Sequence, residues 1–341
     1  MIRVNNIHLS LDYDDKSVRK AVAQQLRIEE KSIKSCKIFR RSVDARKKDN
    51  IYFLTTVDAE LNINEDKVCK KCGNAQIARK YEYNQMKFGN APSPIVVGAG
   101  PAGLFAALIL ARSGANPILI ERGRDVDRRT ADVNRFWTSG KLDITSNVQF
   151  GEGGAGTFSD GKLNSGTKDI RQRKVLEEFV SHGAPDEILY NAKPHIGTDM
   201  LKGTIKNIRN EIIELGGRVM FETKLVSMAF SDNKLKSITV ETANGNEIIE
   251  TDNVILAIGH SARDTFEMLY DLKLPIEAKP FSVGARIEHL RQKVDKAQYG
   301  RFAGNKKLGS ANYKLSTHLD NGRGVYTFCM CPGGKVVNAS S

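Results

Sequence analysis

The chain has 341 residues, enough for two or three domains that each bury a core. It is 40% hydrophobic and 27% charged, an ordinary globular balance, and no apolar run reaches the roughly 20 residues that a bilayer span needs. The opening MIRVNNIHLSLDYDD has neither a signal-peptide core nor a small-residue cleavage site, so the expected address is the cytoplasm.

Five cysteines, an odd number, do not read as a disulfide framework. Cys69 and Cys72 make one C-x-x-C, and Cys329 and Cys331 lie close together near the end. Together they could supply a Cys₄ zinc site, but a C-x-C on a strand points both thiols to one face. Reduced structural cysteines are the preferred reading, and no metal is expected. The net charge of +12 is uneven, since the first 90 residues hold 19 Lys or Arg against 12 Asp or Glu. The densest run, KSIKSCKIFRRSVDARKKD, reads first as a solvated strand and turn without the aromatic interleaving of a base-stacking surface. RNA, anionic lipid or an acidic partner stays open as its ligand.

In chain order, IRVNNIHLSL predicts a strand and DDKSVRKAVAQQLRI a helix capped by Asp14 or Asp15, with Val18, Ala21, Val22, Gln25 and Leu26 on one face. KSCKIFRRSV and NIYFLTTVDAEL predict two strands across the polar turn DARKKDN. The resulting β-α-β-β unit, over residues 1–88, is expected to be small, basic, α+β and ferredoxin-like, closed by a helical stretch around DKVCKKCGNAQIARKYEYNQM. Residues 89–94 read as a linker, from the Gly and Pro of FGNAPSP.

PIVVGAGPAGLFAALILARSGANPILIERG follows, in the order strand, glycine turn, helix, strand. Gly98 makes the tight turn, Gly100 lets backbone approach a pyrophosphate, and Gly103 packs helix on strand, with Ala107 continuing that seam. Pro101 and Ala102 open the helix, whose free N–H groups and dipole favour an anion. Glu121 ends the second strand, placed to accept from ribose hydroxyls. These features predict a Rossmann-like dinucleotide site. Arg122 and Arg129, in the basic stretch beyond, could meet ribose or phosphate oxygens.

The stretch GEGGAGTFSDGKL, after the short strand SNVQF, contains the G-x-x-x-x-G-K of a phosphate-binding P-loop at Gly156, Gly161 and Lys162. That mechanism needs a Ser or Thr next, and position 163 is Leu. Asp160 would also add a carboxylate among phosphates, so an ATPase is not expected. Further on, RVMFETKLVSM, SDNKLKSITVETANG and NEIIETDNVILAIGHSARD predict a three-stranded meander and a buried strand ending at Ala257 and Gly259. That return is a feature of FAD folds of the glutathione-reductase type. No second G-x-G-x-x-G and no redox Cys pair after Glu121 accompany it.

VVGAGPAGLFAAL, PILIERG, NVQFGEGGAGTFSDGKLNS, GAPDEILYNAKPHIGTD, LAIGHSARDTFEML, KPFSVGARIEH and VYTFCMCPGGKVV together resemble a family of bacterial FAD-dependent dehydrogenases of largely unknown substrate, often labelled NAD(FAD)-utilising dehydrogenases. The resemblance implies an FAD-binding domain over residues 95–275 with an inserted α+β substrate domain beginning at 276–341, behind the small N-terminal domain. It implies a glycine-rich loop passing beside the pyrophosphate and the isoalloxazine, with Gly153, Gly154, Ala155, Gly156 and Thr157 on the flavin side. Lys162 would balance charge on reduced flavin, Leu225 would hold adenine through its backbone, and Ala257 and Gly259 would pass close to the dinucleotide. FAD is the implied cofactor, and NAD(P)H is an open choice of electron donor. Members of the family continue past the position of Ser341 with a late Gly-rich segment, so the chain is expected to be C-terminally truncated.

Flavin carries hydride transfer itself, so the protein need supply only position, electrostatics and a proton. His195 and His260 are the natural acid–base candidates, with a loop or core histidine as the competing reading. Asp199, Arg263 and Asp264 fit domain-joining ion pairs, and Arg286, Glu288 and His289, on alternating strand positions, could line a substrate cleft. No catalytic residue is assigned. The expected function is a cytoplasmic FAD-dependent oxidoreductase. Its rivals are a flavoprotein that binds RNA through the basic segment and an inactive nucleotide-binding fragment.

Overall fold

The computed structural model describes every residue except 80, 90, 91, 159, 160, 164, 166, 168, 329, 333, 335, 337, 340 and 341. Asp160 and Cys329 therefore lie outside the described residues.

Strand β1 (Ile2–Leu9) leads into helix α1 (Asp15–Leu26), whose N-cap Asp14 accepts from the Ser17 amide. The apolar positions of α1 recur at helical spacing, so Val18, Val22 and Leu26 are buried, with Ala23 beside them. β2 (Ile33–Asp44) and β3 (Tyr52–Leu61) form a long antiparallel pair, and α2 (Glu65–Lys71) and β4 (Ala75–Ile77) complete the unit. The sheet order is β2-β3-β1-β4 with every neighbour antiparallel, the ferredoxin-like arrangement the sequence predicts. The helical stretch drawn around residues 66–86 is corrected here. Only α2 is helical, because Gly73 and Asn74 break it and the chain turns back to pair Ala75–Ile77 with β1.

The second unit is built on β5 (Ile95–Val97), α3 (Pro101–Arg112) and β6 (Ile118–Ile120). Helices α4 (Val126–Ser139), α5 (Arg171–Ser181) and α6 (Thr198–Glu214) follow, then β7 (Arg218–Met220). The antiparallel meander of β8 (Lys224–Ser231), β9 (Lys234–Thr242) and β10 (Gly245–Glu250) comes next, then β11 (Val254–Leu256) and α7 (Arg263–Asp271). β11-β5-β6-β7 is a fully parallel sheet, as crossover connections require.

Strand alternation sets the layers. Ile95, Val97, Ile118 and Ile120 face the meander and α7, against Leu225, Met228, Ile238 and Leu269. Val96 and Leu119 face α3 and α6, against Leu104, Leu108, Ile205 and Ile208. The sequence reads β11 as buried, but it is an edge strand with Ile255 and Leu256 about 40% exposed. SNVQF is likewise a series of bends rather than a strand.

Residues 276–290 have no regular structure and are exposed, so Arg286, Glu288 and His289 do not occupy a strand. Glu288 instead accepts from the Val336 amide, and His289 stacks on Tyr313. Helix α8 (Arg291–Tyr299) and the segment after it add Tyr299, Leu308 and Ala311 to the core of the first unit. A hairpin of β12 (Ser316–His318) and β13 (Gly324–Tyr326) ends the regular structure.

Candidate dinucleotide site

The turn between β5 and α3 explains two of its three glycines by the chain alone. Gly98 has φ +103° and donates to the Ile120 carbonyl at 2.8 Å, and a methyl there would stand 2.5 Å from the Ala257 oxygen. A methyl on Gly103 would overlap the Gly98 carbonyl oxygen. Gly100 is different. Its φ of −70° suits any residue, and no atom lies within 4 Å of where its Cβ would stand. That open space fronts the first turn of α3, which has Gly100 at the N-cap and Pro101 at the first position, no side-chain cap, and Pro101 and Ala102 exposed. Uncapped N–H groups facing solvent at a helix start suit an anion.

A second glycine segment lies against this turn. The Gly153 amide donates to the Ala99 carbonyl at 2.8 Å. Gly154, at φ +64°, lies so close that a methyl would be 3.1 Å from Pro101 Cδ and 3.2 Å from Gly100 Cα. Ala155 and Gly156 beyond it are exposed, whereas Thr157 is buried and hydrogen-bonded to Arg129 and to the Glu152 carbonyl. Two open backbone stretches thus flank one helix start. The Lys162 backbone bridges to exposed His195 and its Nζ lies 3.1 Å from Cys331 Sγ, and among the described residues the next helix begins at Arg171.

Three residues expected to touch the ligand are committed elsewhere. Arg129 is fully buried and donates to the carbonyls of Asn147 (2.8 Å), Glu152 (2.5 Å), Val148 (2.9 Å) and Gly154 (2.9 Å). It holds the glycine segment in shape. Burial pushes its guanidinium down to about 10, partly offset by Glu121 and Glu152. Glu121 is buried, and its carboxylate accepts from the amides of Ala99 (2.7 Å), Gly123 (2.9 Å) and Gly151 (2.9 Å). This single side chain ties both glycine segments to β6. Arg122 pairs with Asp264 at 2.9 Å, donates to Thr265 and lies over the Phe150 ring. Burial would raise the Asp264 carboxyl, but hydrogen bonds from Arg122 and Lys224 outweigh it and hold the group well below its usual range. This pair joins α7 to the ends of β6 and β8, inside one unit.

Ala257 borders the turn, donating to the Val97 carbonyl, and Gly259 is exposed at φ +70°. Leu225 buries its side chain beneath the meander, on a strand whose register shifts after it. His260 is exposed and contacts the Ser261 hydroxyl, so neither candidate histidine is a core residue. Sequence reasoning missed Gly123, Gly151 and Glu152. A methyl on Gly123 would stand 2.6 Å from Gly151 Cα, and Glu152 accepts from the Val126 amide and from Arg209. The one available signal was the glycines themselves, Gly123 closing PILIERG and Gly151 opening GEGGAGTF.

Known families match three parts of the chain. Residues 93–132 match a family described as FAD binding domain, 280–341 one described as FAD-dependent protein, C-terminal domain-like, and 1–60 a domain of unknown function. A Clostridium beijerinckii protein, given only as uncharacterized, is 46% identical over 346 residues covering 100% of this chain and 64% of that protein. The chain thus spans slightly less than two thirds of that relative. Solved structures similar to it include Thermovibrio ammonificans THI4, at 16% identity, 54% and 64% coverage and a TM-score of 0.36. Another is 3-ketosteroid-delta4-(5alpha)-dehydrogenase from Rhodococcus jostii RHA1, at 14% identity, 48% and 45% coverage and a TM-score of 0.31.

Proposed function

We propose that the chain is the nucleotide-binding part of an FAD-dependent oxidoreductase of the dehydrogenase family its motifs resemble. The observation that carries this is Gly100: the chain itself does not require a glycine there, and the space a side chain would fill opens onto an uncapped helix start. A pyrophosphate is the ligand chemistry that uses both features. The match of residues 93–132 to an FAD binding domain supports FAD in particular.

When bound, FAD supplies hydride or electron transfer, with NAD(P)H as one donor. The chain's own residues bind and orient. The first turn of α3 meets the pyrophosphate, and Gly154, Ala155 and Gly156 present backbone to the flavin end, the two glycines without Cβ atoms in the way. Arg129 and Glu121 fix those backbones from behind. Ala257 and Gly259 border the cofactor, Leu225 serves the adenine end, and Lys162 lies beyond the flavin-side loop. The division at 1–88, 95–275 and 276–341, the larger whole that the relative's length suggests, and a cytoplasmic setting belong to the same proposal. Among the described residues no helix is long and apolar enough to cross a membrane.

The test is an FAD titration of the purified chain, read by flavin fluorescence and by absorption near roughly 370 and 450 nm. Saturable binding that is lost in Gly100→Val, with the far-UV spectrum unchanged, is expected. A folded chain that never perturbs the flavin spectrum would refute it.

A further inference from the structure

The first unit has one face covered by α1 and α2 and one face open. On the open face β1 contributes Arg3, Asn5 and His8, and β3 contributes Tyr52, Leu54, Thr56 and Asp58. Their alternate neighbours Val4, Phe53, Thr55 and Val57 are buried. His8 and Tyr52 stack with ring centroids 4.5 Å apart and planes 22° apart, and His8 is exposed.

The outer strand β2, whose backbone edge at Arg41 is taken up by residues 190–192, brings basic side chains to the same side. A regular strand would send Lys37 and Arg40 to opposite faces, three residues apart. The register shifts between Ile38 and Arg40, so Lys37 sits opposite Asp58 and Arg40 opposite Thr56, both on the open face. Phe39, at that irregularity, lies under the Arg3 guanidinium, 3.3 Å from its ring centroid. Lys34, Lys37 and Arg40 are exposed, and the turn beyond carries exposed Arg46, Lys47 and Lys48. From Ile33 to Asn50 there are 7 Lys or Arg against 2 Asp. Aromatic residues absent from most of the basic run are thus supplied by neighbouring strands.

We propose that this face binds single-stranded RNA. An exposed ring on the middle strands offers a stacking platform, and a basic edge tracks the phosphates. Asn5, Ser42 and Thr56, on the same face, supply amide and hydroxyl groups for 2′-OH contacts. A lipid headgroup layer would use the charge but not the stacked ring. A duplex would hide its bases from the ring.

The experiment is fluorescence anisotropy of a labelled 12-nucleotide oligouridylate with the full chain, over a salt series. If Lys34, Lys37 and Arg40 each neutralise a phosphate, log K should fall with log salt at a slope of about −2. Reversing Lys37 and Arg40 to Glu should bring the slope near roughly −0.7 and weaken binding at least about tenfold at low salt. His8→Ala, at an exposed position that leaves the fold intact, should weaken binding about tenfold without changing the slope. Absence of binding at low salt, equal affinity for duplex RNA of the same length, or unchanged affinity in His8→Ala would each overturn the proposal. Recruitment to phosphatidylserine vesicles without RNA binding would overturn it too, in favour of a membrane surface. FAD titration of the same variants should be unchanged, which separates this face from the dinucleotide site.

Discussion

Replacing Arg129 by Met distinguishes a residue that holds the site from one that holds the ligand. The side chain donates to the Thr157 hydroxyl and to four carbonyls, of which all but the half-buried Gly154 carbonyl lie within a shell that excludes solvent. Each of the three carbonyls left buried without a partner costs about 1–3 kcal/mol, so the gross loss is roughly 3–9 kcal/mol. Against this, the variant no longer buries a charge. Burial holds the guanidinium at about 10, well below its usual range, which puts that saving on the order of 3 kcal/mol. Rehydration of a relaxed loop takes back more, and the net expectation is about 2–5 kcal/mol of destabilisation. Thermal unfolding of the unliganded protein, followed by far-UV circular dichroism, should then shift down by roughly 5–15 °C. Arg129→Lys keeps the charge but not the fork of donors and should fall between. If the Met variant loses FAD affinity while its unliganded stability stays within about 0.5 kcal/mol of the parent, the guanidinium belongs to the ligand and the reasoning fails.

Gly103→Val should prevent folding, because its side chain would overlap the Gly98 carbonyl, whereas Gly100→Val should fold normally and fail only in FAD binding; paired unfolding and titration curves check both. Glu121→Gln should lower unliganded stability by about 2–3 kcal/mol, since an amide can accept from two of the three N–H groups but turns its own NH₂ on the third. A drop in FAD affinity without a drop in stability would return Glu121 to the ribose. Burial pushes the Glu152 carboxyl up from 4.5, so the folded state holds that proton more firmly than the unfolded chain. Its contribution is complete below the unfolded value and is lost as pH rises through the folded one. Glu152→Gln should therefore gain on the parent in unfolding free energy as pH rises above the ordinary carboxyl range, and a difference that stays flat there would contradict the burial argument.

The parts of the fold legible in sequence were those written in local periodicity. Val18, Val22 and Leu26 of the α1 stripe, the meander residues Leu225, Ile238 and Val240, and the apolar runs IVV and ILI are buried as their spacing predicts, whereas the third meander strand buries none of its residues and leaves Ile248 exposed. The misreadings came where a short segment's fate depends on what pairs with it. AQIARKYEYNQM carries enough helix formers to pass for a continuation of α2, yet three of its residues become β4 because the edge of β1 stands open beside them. VIL has the composition of a central strand, and only the sheet order reveals that it lies at an edge. Phe39 was visible within the basic run, but the Arg3 guanidinium over its ring and the stacked pair of His8 and Tyr52 came from strands the run does not contain.

The dinucleotide site divides along a different line. Gly98 and Gly103 were legible because each answers a backbone question that sequence can pose: a tight turn, and a helix packed close on a strand. The charged residues were not, because a buried carboxylate or guanidinium can face a ligand or the chain's own amides and carbonyls, and its spacing is the same in both cases. Glu121 closes a strand at the distance expected of a ribose ligand, and in this fold that position also faces the amides of two glycine segments. Those segments carry few side chains of their own to anchor them, since Cβ atoms would collide at Gly98, Gly103, Gly123, Gly151 and Gly153. A cradle made of glycine must be fastened by residues outside it, and hydrogen bonds to charged groups are the strongest fasteners available. The opposite charges of Glu121 and Arg129, buried on either side of the loop, follow from that need. Glycine content at a site of this kind thus predicts buried charge behind it.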